Sequence, residues 1–186
     1  MDTGVNNNWP VWATEKVEIT DPDLRWQIKG RKLITELKKL LKEFNITNIE
    51  HIGSTSVPGL PAKPIIDIMA KASTFEETYK IALKLEPAGW NYVPAELDQN
   101  EWRRFFVKVT NDKRVAHLHI VLNDSARWDE HIKFREILTG CPAIKDEYAA
   151  LKKKLAKAHA DDREAYTKAK SNFIQKVITG FDNTIL

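Results

Sequence analysis

Two histidines, His117 and His119, stand two residues apart in the stretch VAHLHIVL. On a strand they point the same way, with α-carbons roughly 6 to 7 Å apart. Alternation puts Ala116, Leu118, Ile120 and Leu122 on one face of residues 115–122, and the histidines with Val115 and Val121 on the other. In residues 65–70, Ile66, Ile68 and Ala70 form the comparable apolar row, which leaves Asp67 opposite with Ile65 and Met69. If the two strands are neighbours with their apolar rows on one side, Asp67, His117 and His119 share the other. Such a set suits a divalent cation with imidazole nitrogens at roughly 2.0 to 2.1 Å, or acid–base chemistry. The plainer alternative is that each histidine is a partly buried residue bonded to a carbonyl or carboxylate, and the pattern leaves both open. His51, on the same face as Gly53 by alternation, reads as structural.

The second feature is Gly53-Ser54-Thr55-Ser56-Val57-Pro58-Gly59-Leu60-Pro61-Ala62-Lys63-Pro64. A glycine ending a strand lets backbone N–H groups approach an anion, and the hydroxyls of Ser54, Thr55 and Ser56 add donors for a phosphate. It is not a P-loop, because five residues separate its glycines and Leu60 follows the second. It is not a nucleophile elbow either, since position 55 is threonine. Lys63, Arg103 and Lys108 supply positive charge for an anionic substrate. Lys108 falls on the face opposite Phe105, Val107 and Val109, where it is expected to meet Asp67 or to be solvated. The Lys152-Lys153-Lys154 run reads as a solvated helix face.

The elements that must position these groups follow from periodicity. Asp21-Pro22 reads as a helix start, and Leu33, Ile34, Leu37, Leu40, Leu41 and Phe44 recur at helical spacing, with Gly30 weakening the first half. Trp9, Trp12, Val17 and Ile19 look like a lead-in that packs onto the body. Strands are expected at residues 49–53 and 65–70. A capping box at Ser73-Thr74-Phe75-Glu76 should open a helix to about Leu85. Strands at 90–93, 104–110 and 115–122 follow, the last two as a hairpin through Asn111-Asp112-Lys113-Arg114. Residues 128–138, 145–158 and 163–178 read as helices. The fold class is therefore α+β, a mixed sheet followed by helices. Residues 1–124 are expected to form the core with the N-terminal helix, and 125–186 a helical part packed on it as one structural unit.

The 186 residues include one cysteine, Cys141, which excludes an intrachain disulfide framework and a thiolate-rich zinc site. The formal charge of +3 gives no argument for nucleic acid. No run of about 18 apolar residues suggests a membrane span, and Met1 to Asn8 lacks the pattern of a signal peptide. A cytoplasmic protein is expected.

The run IEHIGSTSVPGLPAKPIIDIMA, residues 49–70, resembles the signature of the GrpB family, whose members look like nucleotidyltransferases of polymerase-β type. The likeness continues through Arg103-Arg104-Phe105, His117-Leu118-His119, Phe134-Arg135 and residues 148–173. The resemblance implies a short mixed sheet with helices on one side, a Gly-Ser element for nucleotide phosphates at Gly53 and Ser54, and a first carboxylate at Asp67. The superfamily usually adds a second carboxylate two residues on, where this chain has Met69, and a third on a later strand, where it has His117 and His119. One aspartate and two imidazoles suit a single transition metal, manganese or zinc, better than magnesium. The expected ligand is a nucleotide or phosphorylated small molecule, handled by a metal-dependent nucleotidyltransferase or bound by a module without turnover.

Overall fold

The computed structural model describes Trp12, residues 18–160 and residues 162–182. Helix α1 (Arg25–Leu40) precedes strand β1 (Ile49–Ile52). Strand β2 (Ile66–Ala72), helix α2 (Thr78–Leu85), strand β3 (Trp90–Val93), the single turn α3 (Ala95–Asp98) and strands β4 (Arg103–Thr110) and β5 (Lys113–Leu122) come next. Three helices follow, α4 (Ala126–Gly140), α5 (Pro142–Ala158) and α6 (Arg163–Asp182). The strands form a mixed sheet in the order β1-β2-β5-β4-β3, antiparallel throughout except for β2 and β5, which run parallel. The β4–β5 hairpin turns at Asn111 and Asp112, both with positive φ, a conformation that asparagine and aspartate tolerate better than most residues.

The alternating apolar rows decide which face each helix covers. Ile66, Ile68 and Ala70 of β2, Leu118 and Ile120 of β5, Phe106 of β4 and Trp90 of β3 pack against Trp26 and Leu37 of α1 and Ile81 and Leu85 of α2. Burying a large apolar side chain contributes about 1.5–3 kcal/mol, so this face anchors the sheet. On the opposite face Ile52, Met69 and Val121 meet Trp102 and, from α4, Trp128 and Ile132. A third cluster joins Val57 and Leu60 of the 53–64 loop to Leu138 of α4, Tyr148 of α5 and Phe173 of α6.

Several local expectations shift. Helix α1 begins two to three residues later than Asp21-Pro22 suggests, and Asp23 rather than Asp21 accepts the N–H of Arg25 at 2.9 Å. Ser73 to Glu76 is not a capping box: Thr74 accepts the Glu76 N–H at 3.1 Å, and α2 starts only at Thr78 without a side-chain cap. Helix α3 was not foreseen, because four residues are too few for periodicity to register. Lys152 is not on a solvated face, being 1 % exposed. Of the lead-in, Trp9 and Val17 lie outside the described residues. The carbonyl of Trp12 accepts from Arg114 Nε at 2.7 Å, and Thr20 bridges to Ala62.

Gly30 does more than weaken α1. A Cβ there would fall on the imidazole of buried His51, whose Nε2 is 3.0 Å from Thr55 Oγ1. Thr55 in turn donates to the Ile65 carbonyl at 3.2 Å, so its hydroxyl accepts the His51 proton and leaves His51 Nδ1 bare toward the helix. Burial lowers the His51 pKa to about 4. Gly30→Ala should destabilise the protein by about 1–3 kcal/mol in urea unfolding, against the usual helix-propensity gain. Combining it with His51→Ala should remove most of that penalty; simple additivity of the two losses would show that the contact does not set the glycine requirement.

Candidate functional site

The parallel pairing places Asp67 opposite His117 and Met69 opposite His119, so all four side chains share the face away from α1 and α2. Asp67 Oδ1 accepts from His117 Nδ1 at 2.9 Å and lies 3.9 Å from His119 Nε2. One ligand atom from each of the three residues lies within 4.8 Å of the others. Burial works to raise the Asp67 carboxyl, but hydrogen bonds from both histidines outweigh it and hold the group well below the usual carboxylate range. Burial lowers His117, against the pull of Asp67, and lowers His119 to about 3, helped by the positive charge of Arg103. Both rings are therefore neutral near pH 7.

Hydrogen-bond donors assign where each proton sits. A carboxylate only accepts, so His117 carries its proton on Nδ1, and its Nε2 is a bare lone pair, buried with no hydrogen-bond partner among the described residues. Arg103 only donates, and its Nη1 is 2.6 Å from His119 Nδ1, so the His119 proton is on Nε2, facing Asp67. The guanidinium is fixed by Asp98, which accepts from Nε at 2.8 Å and from Nη2 at 2.6 Å, a bidentate pair only 14 % and 7 % exposed. It also lies 4.1 Å above the Phe105 ring.

The phosphate-binding candidates divide. Gly53 has φ 69°, and a Cβ there would come within 2.6 Å of Asp67 Oδ2, so the turn backbone rests directly on the carboxylate. Ser54 is half-buried, and its carbonyl accepts from the Val57 N–H at 3.3 Å. Thr55 is turned inward to His51 and Ile65, and Ser56 Oγ donates to the Gly53 carbonyl at 2.6 Å, so these two hydroxyls hold the loop's own shape. Lys63 lies 4.6 Å over the Tyr166 ring of α6, and its charge is felt by His117.

Lys108 corrects the sequence expectation. Phe105, not Lys108, shares the histidine face, with its ring 5.1 Å from each imidazole. Lys108 points to the α1 side, where Nζ donates to Glu36 at 2.9 Å and to the Ala88 carbonyl at 2.6 Å. The row Phe105, Val107, Val109 was assigned to the wrong face because both faces of this strand carry apolar side chains. His51 also faces α1, away from the cluster.

Other groups at the site gave little sequence signal. Trp102 lies nearly parallel to His119 at 6.2 Å and stacks on His131 of α4 at 6.4 Å. Asp98 comes from the unforeseen α3. Tyr148 and Tyr166 fall in the stretches 145–158 and 163–178 read as helices, with nothing in the pattern to set them beside the loop.

A mixed sheet with a Gly-Ser turn after one strand and a carboxylate on its neighbour is the arrangement of a nucleotidyltransferase-like fold. The chain belongs to the GrpB family, whose GrpB protein description matches residues 16–179. It is 31 % identical over 153 residues to the glutamate-rich protein GrpB of Alkalihalophilus pseudofirmus, covering 80 % of this chain and 88 % of that one. The crystal structure of conserved protein GrpB from Enterococcus faecalis superposes with TM-score 0.77 at 35 % identity, covering 88 % of this chain and 96 % of that chain. The MgGTP-bound Cid1 poly(U) polymerase superposes with TM-score 0.51 at 14 % identity, covering 75 % of this chain and 44 % of that chain, a likeness of fold alone.

The metal that the fold class implies fits only in altered form. One carboxylate and two imidazoles within 4.8 Å suit one transition-metal ion such as zinc or manganese, not a carboxylate-bridged pair of magnesium ions. An ion ligated by His119 Nε2 would move that ring's proton to Nδ1, where Arg103 now donates. Metal ligation and the Arg103–His119 bond therefore exclude each other. In nitrogen-15 spectra of the metal-free protein, His117 should appear as the Nδ1–H form and His119 as the Nε2–H form. Arg103→Leu should free His119 and raise zinc affinity at least tenfold by calorimetry, and Asp67→Asn should abolish it. Equal zinc affinity with and without the guanidinium would show that the two do not compete.

Proposed function

We propose that this protein binds a nucleotide or a related phosphorylated small molecule at the Gly53-Ser54 turn and transfers a nucleotidyl or phosphoryl group beside Asp67, His117 and His119. The observation that carries this reading is the direct seating of the Gly53 backbone on the Asp67 carboxylate, which joins an anion-tolerant turn to an acid–base cluster without intervening side chains. The fold shared with a polymerase crystallised with MgGTP supports it. In nucleotidyl transfer, an acceptor hydroxyl oxygen bonds the α-phosphorus, the bond from that phosphorus to the bridging oxygen breaks, and pyrophosphate leaves with the electron pair. The acceptor's proton goes to His117 Nε2, a lone pair that Asp67 orients by holding Nδ1–H. Arg103 and Lys63 offset charge on the phosphates. A single zinc or manganese ion, when bound, would polarise a phosphoryl oxygen as a Lewis acid.

A second reading, a binding module without turnover, is favoured by one observation: Met69, at the usual position of a second carboxylate, is fully buried among apolar side chains. The test incubates the protein with radiolabelled nucleoside triphosphates, manganese or zinc and a panel of hydroxyl acceptors. Turnover that falls at least 100-fold in Asp67→Asn and in His117→Ala is the expected result. Binding that persists under chelation with no label consumed supports the module. A protein that neither binds nor consumes any nucleotide or phosphorylated compound overturns both readings.

A further inference from the structure

Helices α1 and α2, which cover one face of the sheet, turn cations and apolar side chains outward together. Between Arg25 and Lys42 stand seven cations and one carboxylate, a net +6 in a chain whose formal charge is +3, so the other residues together carry −3. That carboxylate, Glu36, is turned to Lys108 at 2.9 Å. Seven residues, about two turns, separate Arg31 from Lys38 and Lys32 from Lys39, so these four exposed cations share one side of α1, with exposed Lys42 just past its end. Among the described residues, none of the five has a carboxylate within ion-pair distance.

The apolar residues of this layer are as exposed as its charges. Leu24, just before α1, and Ile28, one turn on, lie on the same side as the cations and are 78 % and 47 % exposed. On α2, Tyr79 and Leu83, again one turn apart, are 73 % and 52 % exposed, with exposed Lys80 and Lys84 beside them. Among the described residues these are four of the five large apolar side chains left exposed. One exposed leucine is ordinary, but four on a single layer beside unpaired cations mark an interaction surface. Lys84 pairs with Glu43 at 2.6 Å, which sets the end of α2 toward the segment that follows α1. The two apolar pairs therefore stand at opposite ends of a face roughly 27 Å long, with the cations between them.

We infer that this α1/α2 face docks on the surface of an anionic phospholipid bilayer, with its cations at the headgroup phosphates and Leu24, Ile28, Tyr79 and Leu83 reaching into the interface. Charge complementarity requires an anionic partner and disfavours a second copy, because two such faces repel. The exposed leucines and isoleucine match a lipid interface better than a nucleic acid, whose surface is polar and charged. A plane also meets both ends of the face at once, which a single partner helix lying along α1 would not. The apolar stripe of α1 is packed on the sheet, and no described helix is long and apolar enough to cross a membrane. Docking is therefore shallow, with electrostatic attraction its main source. The negative remainder of the chain turns this face, rather than the others, toward the bilayer. The Asp67 cluster lies on the opposite face of the sheet, so the inference goes beyond the phosphoryl-transfer reading and stands independently of it.

The experiment is co-sedimentation of the full chain with vesicles of phosphatidylcholine alone and of phosphatidylcholine with about 30 % phosphatidylglycerol, at about 0.1 M salt. Wild type should partition onto the anionic vesicles at least tenfold more strongly than onto the neutral ones, and about 0.5 M salt should release it. Arg31→Gln, Lys32→Gln and Lys39→Gln combined should weaken partitioning at least tenfold, and Leu24→Ser with Ile28→Ser at least threefold, all at an unchanged thermal midpoint. The same loss of charge on exposed positions of α5, Lys153→Gln, Lys154→Gln and Lys157→Gln combined, should leave partitioning as in wild type. If the α5 variant loses as much, net charge rather than this face does the binding and the inference fails. It fails too if wild type sediments equally with both vesicles or with neither. Binding of a structured RNA that the α1 triple variant abolishes, without vesicle binding, would reassign the face to nucleic acid and overturn the inference. None of these outcomes alters the reading of the Asp67 site.

Discussion

The site depends on one backbone constraint, the parallel register of β2 against β5. Parallel neighbours with their apolar rows on one side must put their remaining side chains together on the other, and the pairing of Asp67 with His117 is the form that takes here. A slip of one residue would send Asp67 into the helix-covered core and bring Ile66 or Ile68 to the histidines. The hydrophobic burial of the α1 and α2 face therefore fixes the polar face, although none of the site residues takes part in it.

Around that register the molecule is built from interactions that hold groups in one protonation state. Asp67 fixes the proton of His117, Arg103 fixes that of His119, and Thr55 fixes that of His51 on the other face. Each ring is neutral, and each has a partner with a single role: Asp67 only accepts, Arg103 only donates, and the Thr55 hydroxyl, already committed to Ile65, is left to accept. Such prearranged tautomers leave a known lone pair at a known place, which is what a base or a ligand atom requires.

What the sequence disclosed follows from how local each signal is. Strand alternation was enough to bring Asp67, His117 and His119 to one face, because the apolar rows of residues 65–70 and 115–122 are unambiguous. It failed for β4, where Phe105 and Phe106 are both apolar and the face of Lys108 turns on which aromatic meets the helices. The mixed sheet and its hairpin were legible from turn chemistry at Asn111-Asp112, while α3, with its Asp98 anchor for Arg103, is shorter than any period. Lys152 was misread because a lysine run gives no sign of a loop folding over one of its members; only Tyr148 and Leu151 beside it, as apolar neighbours, marked the buried side. Gly30 and Gly53 were visible as residues, but their reasons, a ring and a carboxylate pressed against the backbone, are tertiary.

The sheet's order has a last consequence for how the molecule meets its own copies. Its outermost strands, β1 and β3, have four residues each, against seven to ten for the three between them. A neighbouring chain seeking to extend the ladder would find only a short rim of unpaired amides, too brief to template a continuous fibre. The long strands that could serve that purpose are locked in the middle, so self-association by strand addition is discouraged at both borders.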